Sequence, residues 1–474
     1  MVTKPLSFLP AYFSRTAVLA YVAILSVCLV VFSGRRLPFL WITFGLVEVV
    51  TFFWFSYLLT RRWAALPDPV FRKKLLTTAL VIRILYVVFA YIFYKAMTGK
   101  PFEFLVADAE GYHQTALWIV DLVKHGNIST YFRWQFRTGV ADSGFPLFLS
   151  MIYLIAFNSI FVARLVNALL GAWTCVLIYK LARRNFGEEA GRISAILAML
   201  LPTFIYYCGL HLKETVMVFF LMAFAERADH LLRQNTFKTW NLIVVVLLGG
   251  VLFFFRTVLA VTAWFALFST LLFSARRLIR STRKTIYILW LTVAVMVLFS
   301  GRIFTEVEEQ IKGRTVNQAR QMQHFATRKG GNTLAAYGKA SIFMPAMLFA
   351  PFPTLVHVED QQDKMMINGN MFTRNVYAFF VLVAFYVLYK KKLIREHVML
   401  LALLLAYLVI LALSGFALSE RFHVPAVPFL LIFAGYGISQ MDRRTARFYV
   451  PYLLFIAVVI IGWNWFKLAG RGAI

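Results

Sequence analysis

"GFPLFLSMIYLIAFNSIFVARLVNALLGAWTCVLIYKLARR", residues 144–184, contains two apolar runs of unequal length. The second, 163–181, is close to the roughly 20 residues a helix needs to cross a bilayer, and it closes on Lys180, Arg183 and Arg184. The first, 144–157, is short and carries Pro146, so it reads as a helix lying in or dipping into the membrane interface.

Runs of the longer kind recur along the chain, at 17–33, 37–59, 75–97, 163–181, 190–208, 212–230, 239–255, 257–274, 285–300, 374–390, 397–415, 422–440 and 447–465. That makes about thirteen spans. Hydrophobic residues form 61% of the 474 positions, charged ones 15%, and mean hydropathy is +0.73. This is too apolar for a soluble globule, and an all-α polytopic membrane protein follows, read as a single transmembrane domain over 1–474. The run at 17–33 lacks a small-residue cleavage site after it and is expected to be a retained span. Cys28, Cys175 and Cys208 all sit inside apolar runs, which argues against a disulfide framework or a cysteine metal site.

The net charge of +28 is not gathered into one patch with interleaved aromatics, so nucleic acid is not the expected partner. The basic residues cluster at span ends: Arg61, Arg62, Arg72, Lys73 and Lys74; Lys180, Arg183 and Arg184; Arg276, Arg277, Arg280, Arg283 and Lys284; Lys390, Lys391 and Lys392; Arg443, Arg444 and Arg447. With a cytoplasmic amino terminus all of these fall on the cytoplasmic face, and Arg35 and Arg36 dissent. Residues 98–162 and 301–373 then become two long extracytoplasmic loops, each with one short apolar stretch, 144–157 or 342–355, read as interfacial.

The first loop contains "FLVADAEGYHQTA", residues 104–116. Asp108 and Glu110, spaced D-x-E, would converge on one hydroxyl or one hard cation if the backbone turned there; the plainer reading is solvated loop charges with Tyr112 as an interface anchor. "GYHQTALWIVDLVKHG" continues as an amphipathic helix. On the same face lie Arg164, His211, Lys213, Glu214, Arg256, Glu420, Arg421 and His423. Any one of these could simply snorkel to water, but several beside a carboxylate pair suggest a site. Carboxylates beside arginines at a membrane surface suit transfer from a lipid-phosphate-linked sugar: a carboxylate takes the acceptor's proton, and Arg or Lys stabilises the departing phosphate.

"DAEGYHQTA" followed by residues 144–202 resembles the amino-terminal half of the GT-C membrane glycosyltransferases, in particular the branch with protein O-mannosyltransferases and lipid A aminoarabinose transferases. "ERFHVPAVPFLLIFAGYGI" is similar to that superfamily's late R-Y-x-x-P-x-x-P segment. The resemblance implies a GT-C-like bundle and an inverting transfer from a polyprenyl-phosphate sugar to a glycan, lipid or protein acceptor. It implies Asp108 as general base, with Glu110 assisting or helping to hold a divalent cation such as Mg or Mn. Tyr112, His113, Arg164, His211, Lys213, Glu214, Arg256, Arg421 and His423 would bind substrate, Arg164 and Arg421 meeting the carrier phosphate. The implied setting is a bacterial plasma membrane, with the site on the extracytoplasmic face.

Other readings stay open. A polysaccharide polymerase or ligase with a lipid-diphosphate donor would use Arg320, His324 and Arg328 of "EVEEQIKGRTVNQARQMQHFATRKGG", a stretch with charges at helical spacing. A transporter or flippase would place charge within the membrane, and Glu48 and Arg83 could form such a couple. His357, Glu359 and Asp360 of "HVEDQQDK" read as a surface turn before a metal site.

Overall fold

The computed structural model describes residues 6–104, 107–138, 141–233, 239–273, 318–328, 330–359 and 361–473. Helix dominates these residues, and no strand is found among them. The first part runs α1 (Ala11–Val31), α2 (Phe39–Trp63), α3 (Asp68–Thr98), α4 (Ala107–Lys124), α5 (Ile128–Thr138), α6 (Gly144–Ala156), α7 (Ile160–Phe186), α8 (Glu188–Leu200), α9 (Pro202–Cys208), α10 (Glu214–Arg233), α11 (Thr239–Phe255) and α12 (Thr257–Phe273). A helix over 318–327 follows, and the long helices of the last part are Asn368–Lys390, Val398–Ala412, Glu420–Ser439 and Arg443–Ala469.

Among the described residues seven helices are long and apolar enough to cross a membrane, or eight if α8 and α9 count as one bent span. The expected thirteen are not reached. The runs at 239–255, 257–274 and 397–415 form helices of 15–17 residues, short for a bilayer. The run at 212–230 becomes α10, which carries Glu226, Arg227 and Asp229 in its second half. The expected span 285–300, the basic cluster within 276–284, the loop residues 301–317 and Asp360 lie outside the described residues. The two stretches read as interfacial do not form spanning helices: 144–157 gives the 13-residue α6, and 342–355 gives a helix ending at Ala346, with Pro345 inside it, and then coil.

Local chemistry sets the boundaries that matter for the site. α3 opens with Pro69 in its first turn, where the missing N–H costs nothing, and ends on Gly99 at φ 75°, a left-handed conformation that glycine adopts without strain. The helix stops there, and the chain re-enters helix at α4. Leu201 precedes Pro202, so its backbone is driven out of the helical region, and α8 and α9 meet at a 48° bend. That break brings residues 208–214 in beside α4.

Between helices in lipid there is no hydrophobic drive, and close approach supplies the attraction. Glycines of Glu420–Ser439 provide it: a Cβ on Gly435 would strike Ser194 of α8, and one on Gly437 would strike the Phe380 carbonyl. This helix is sheathed by its neighbours and has the most buried apolar window of the candidate spans, at 94%.

The charged residues divide between two ends. At one, Arg183 pairs with Asp68 at 2.9 Å and Glu188 at 2.7 Å, Arg184 with Glu226 at 2.6 Å and Asp229 at 3.0 Å, and Lys391 donates to Gln440 at 2.7 Å. Arg35 and Arg36 belong to the opposite end, where the Arg35 carbonyl accepts from His357 N–H at 2.9 Å and Arg35 faces Glu359 at 3.8 Å. Their departure from the basic-cluster pattern thus reflects engagement with the second long loop.

Candidate functional site

α4 is helical through the acidic motif, so Asp108 and Glu110 stand two residues apart on a helix and point in different directions. Asp108 pairs with Arg421, and Glu110 with Lys100 at 2.8 Å. The expected convergence on a single hydroxyl or cation is not what the backbone gives, because the turn that D-x-E would need is replaced by the first turn of a helix. Among the described residues no group of three or more His, Cys, Asp or Glu is gathered as a metal would require.

Arg421 is the centre of the arrangement. Its Nε donates to Glu214 Oε1 at 2.5 Å and its NH1 to Asp108. Glu214 is fully buried at the start of α10, whereas the Asp108 side chain is 58% exposed. The guanidinium therefore joins a buried anchor to an accessible carboxylate. Tyr112, one turn after Asp108, lies beside the same guanidinium, with its ring on Phe145 of α6, and burial pushes its phenol up to about 12.

A second network lies behind the first. Tyr153 OH is 2.7 Å from His113 Nδ1 and 3.1 Å from His211 Nε2. Burial lowers the pKa of His113, and burial with Arg164 and His113 nearby holds His211 well below its ordinary value, so both rings are neutral around the phenol. Arg164 is fully buried, donates to the Pro101 carbonyl and has Glu103 as its nearest acidic influence. Burial raises the Glu103 carboxyl to about 7 even against that arginine.

The remaining expected residues are placed as follows. Lys213 is buried, paired with Asp142 and donating to the Phe255 carbonyl at 3.1 Å. Arg256 lies 4.4 Å over the Phe422 ring and donates to Tyr407 OH at 3.2 Å. His423 uses both ring nitrogens structurally, at 2.8 Å from Arg374 and 2.6 Å from the Ala417 carbonyl, so it braces the turn before Arg421. Arg374, the first residue of the run 374–390, is a contact that the sequence does not single out, since a lone cation at the start of a span reads as one that snorkels to water.

A cavity of about 740 Å³ opens onto Arg421. Phe325, Phe343, Phe352, Trp463 and Phe466 make its walls apolar, and Glu103, Asp363 and Glu420 add carboxylates. Of the residues expected of a polymerase, Arg328 lines this cavity, while Arg320 and His324 are exposed. Glu48 and Arg83 are not a couple: Glu48 accepts from Asn370 N–H at 2.9 Å, and Arg83 donates to the carbonyls of Ala79, Ala198 and Met199.

Residues 144–303 match the family model described as dolichyl-phosphate-mannose-protein mannosyltransferase. Over those residues the chain matches the GT-C glycosyltransferases. The family implies a membrane glycosyltransferase that takes its sugar from a polyprenyl-phosphate carrier, in a bilayer setting. The match covers Arg164, His211, Lys213, Glu214 and Arg256, and it begins after the acidic motif. No curated protein matches the chain.

Proposed function

We propose that the chain is an inverting glycosyltransferase with Asp108 as general base, acting at the extracytoplasmic face of a bacterial plasma membrane with its amino terminus in the cytoplasm. The observation that carries this reading is the accessible Asp108 carboxylate, paired with Arg421, which itself lines an apolar-walled cavity. Asp108 takes the proton of an acceptor hydroxyl as that oxygen attacks the anomeric carbon. The bond from that carbon to the phosphate oxygen breaks, and the carrier leaves as polyprenyl phosphate. Build-up of positive charge on the sugar ring is favoured by a nearby negative group, for which Glu420 is placed on the cavity wall next to Arg421.

Glu110, drawn to Lys100, assists only at a distance. As arranged here, Asp108 and Glu110 do not form a shared cation site, and no step is routed through a metal. The acceptor, whether glycan, lipid or protein, enters from the open side of Asp108.

The test is transfer of radiolabelled sugar from synthetic polyprenyl-monophosphate sugars by purified protein, wild type beside Asp108→Asn, with and without chelator. Loss of a general base lowers the rate about 10²–10⁴-fold. Transfer by Asp108→Asn at the wild-type rate would overturn the assignment.

A further inference from the structure

A second cavity, of about 470 Å³, shares a wall with the first: Gly415, Phe416 and Phe422 line both. Its volume falls within the range of about 300–1,000 Å³ typical of ligand pockets. The start of α12, the end of Val398–Ala412 and the helix over 318–327 enclose it. Whereas carboxylates and cations are mixed along the first cavity, Arg256 is the sole charged residue among the described residues that line the second.

Arg256 has contacts, and all of them are neutral. Its guanidinium lies 4.4 Å over the Phe422 ring, and NH1 donates to Tyr407 OH at 3.2 Å. One hydrogen bond leaves most of the five N–H donors of a guanidinium unused. Among the described residues no carboxylate pairs with it: Asp108 and Glu214 are taken by Arg421, and Asp142 by Lys213. Lys213, which donates to the Phe255 carbonyl just before Arg256, adds a like charge that repels it. A ring and a phenol orient a cation, but they do not supply the counter-charge that an apolar surrounding demands.

The rest of the lining is apolar and fixed. Val258, Ile410, Leu411, Leu413 and Phe416 contribute to it, and the Phe416 ring stacks on Phe422 at 4.2 Å. Gln318 clasps the Ala412 and Ser414 carbonyls at 3.0 and 3.1 Å, which caps the end of that helix and holds the 318–327 helix against the cavity. Leu405, Val409 and Leu413 follow at four-residue steps and so form one stripe, of which Leu405 and Val409 are exposed. On a membrane-embedded helix such a stripe meets acyl chains, and here it ends at the cavity.

We propose that this cavity binds one anionic phospholipid of the surrounding bilayer, with its phosphate on Arg256 and an acyl chain along Leu413, Val409 and Leu405. A basic pocket between helices takes such a headgroup because the phosphate supplies the missing charge and accepts several N–H groups at once. A zwitterionic headgroup suits it less, since its own ammonium is repelled by Arg256 and Lys213. With the phosphate in place Arg256 stays over Phe422, the residue next to Arg421, so the lipid braces the turn that carries the partner of Asp108. This site stands independently of the glycosyltransferase reading.

The test is titration of the full-length protein in detergent with phosphatidylglycerol, phosphatidylcholine, diacylglycerol or glycerol phosphate, read by native mass spectrometry as molecules bound per chain. Phosphatidylglycerol is expected to saturate at one tightly held molecule, roughly tenfold or more tighter than the other three, as a charge-assisted hydrogen bond contributes. Arg256→Gln loses that advantage, and Arg256→Lys, which keeps the charge but not the planar fork, recovers part of it. Val258→Trp fills the cavity with Arg256 in place and displaces the lipid, so the site stays testable if Arg256→Gln does not fold. Phosphatidylglycerol is also expected to raise the heat stability of wild type and not of Arg256→Gln; no gain in wild type overturns the bracing. Wild-type affinity in Arg256→Gln or Val258→Trp, or equal affinity for diacylglycerol, overturns the site. Equal affinity for phosphatidylcholine overturns its preference for an anionic lipid. Equal affinity for glycerol phosphate, or ready displacement of phosphatidylglycerol by farnesyl monophosphate, overturns the bilayer-lipid assignment in favour of a soluble phosphate compound or a prenyl carrier respectively.

Discussion

Two carboxylates share one guanidinium, and their unequal burial predicts that removing them has opposite consequences. Glu214 is fully buried with its Oε1 2.5 Å from Arg421, while the Asp108 side chain is 58% exposed. Breaking a buried pair by deleting one partner costs about 3–5 kcal/mol, because the other charge is left without compensation. An exposed pair contributes only ~0–1 kcal/mol. Glu214→Gln keeps a neutral acceptor and loses the difference between a charged and a neutral hydrogen bond, about 1–2 kcal/mol. Against a total stability of about 5–15 kcal/mol, Glu214→Ala therefore removes a large fraction and Asp108→Asn almost none. The assay is the fraction of purified protein that stays monodisperse in detergent after a temperature ramp, run beside sugar transfer. The expected order of heat stability is wild type close to Asp108→Asn, then Glu214→Gln, then Glu214→Ala, with Asp108→Asn the inactive one. Glu214→Ala as stable as wild type, or Asp108→Asn as unstable as Glu214→Ala, would refute the division into anchor and base.

Glu103 gives a pH-dependent case. Its folded pKa of about 7 lies above the ordinary carboxylate value, so stability is lost as pH rises from the ordinary value through 7. Glu103→Gln, which mimics the protonated form, should be more heat-stable than wild type at pH 8 by about 3 kcal/mol and close to it at pH 5; no gain at pH 8 in the same monodispersity assay would contradict the burial argument. Tyr153→Phe strips both His113 and His211 of a hydrogen-bond partner, and a buried unsatisfied group costs about 1–3 kcal/mol, read as a lower thermal midpoint. Gly437→Ala forces a Cβ against the Phe380 carbonyl, with an expected loss of about 1–3 kcal/mol measured as reduced yield of folded protein; a wild-type yield would show that these helices can separate freely.

Much of the site was legible in the chain. Asp108, Glu214 and Arg421 were singled out from three distant segments because charges are rare in apolar sequence and stand out at span ends, and the structure brings them together. Misreadings came where a motif's meaning depends on backbone conformation. D-x-E suggests convergence only on a turn, and α4 is a helix there; Glu48 and Arg83 suggest a couple only if their helices present them to each other.

The sequence by itself determined that the chain is helical and apolar enough to be membrane-embedded, and which segments carry charge, since hydropathy and helix-end chemistry act over a few residues. Only the tertiary structure decided which charges meet. The bend at Leu201, the exit at Gly99 and the glycine contacts of Glu420–Ser439 set how helices far apart in sequence lie against each other. That arrangement leaves Asp108 accessible while its partner Arg421 is anchored by a buried Glu214, because neither burial nor counter-charge is a property of a residue alone.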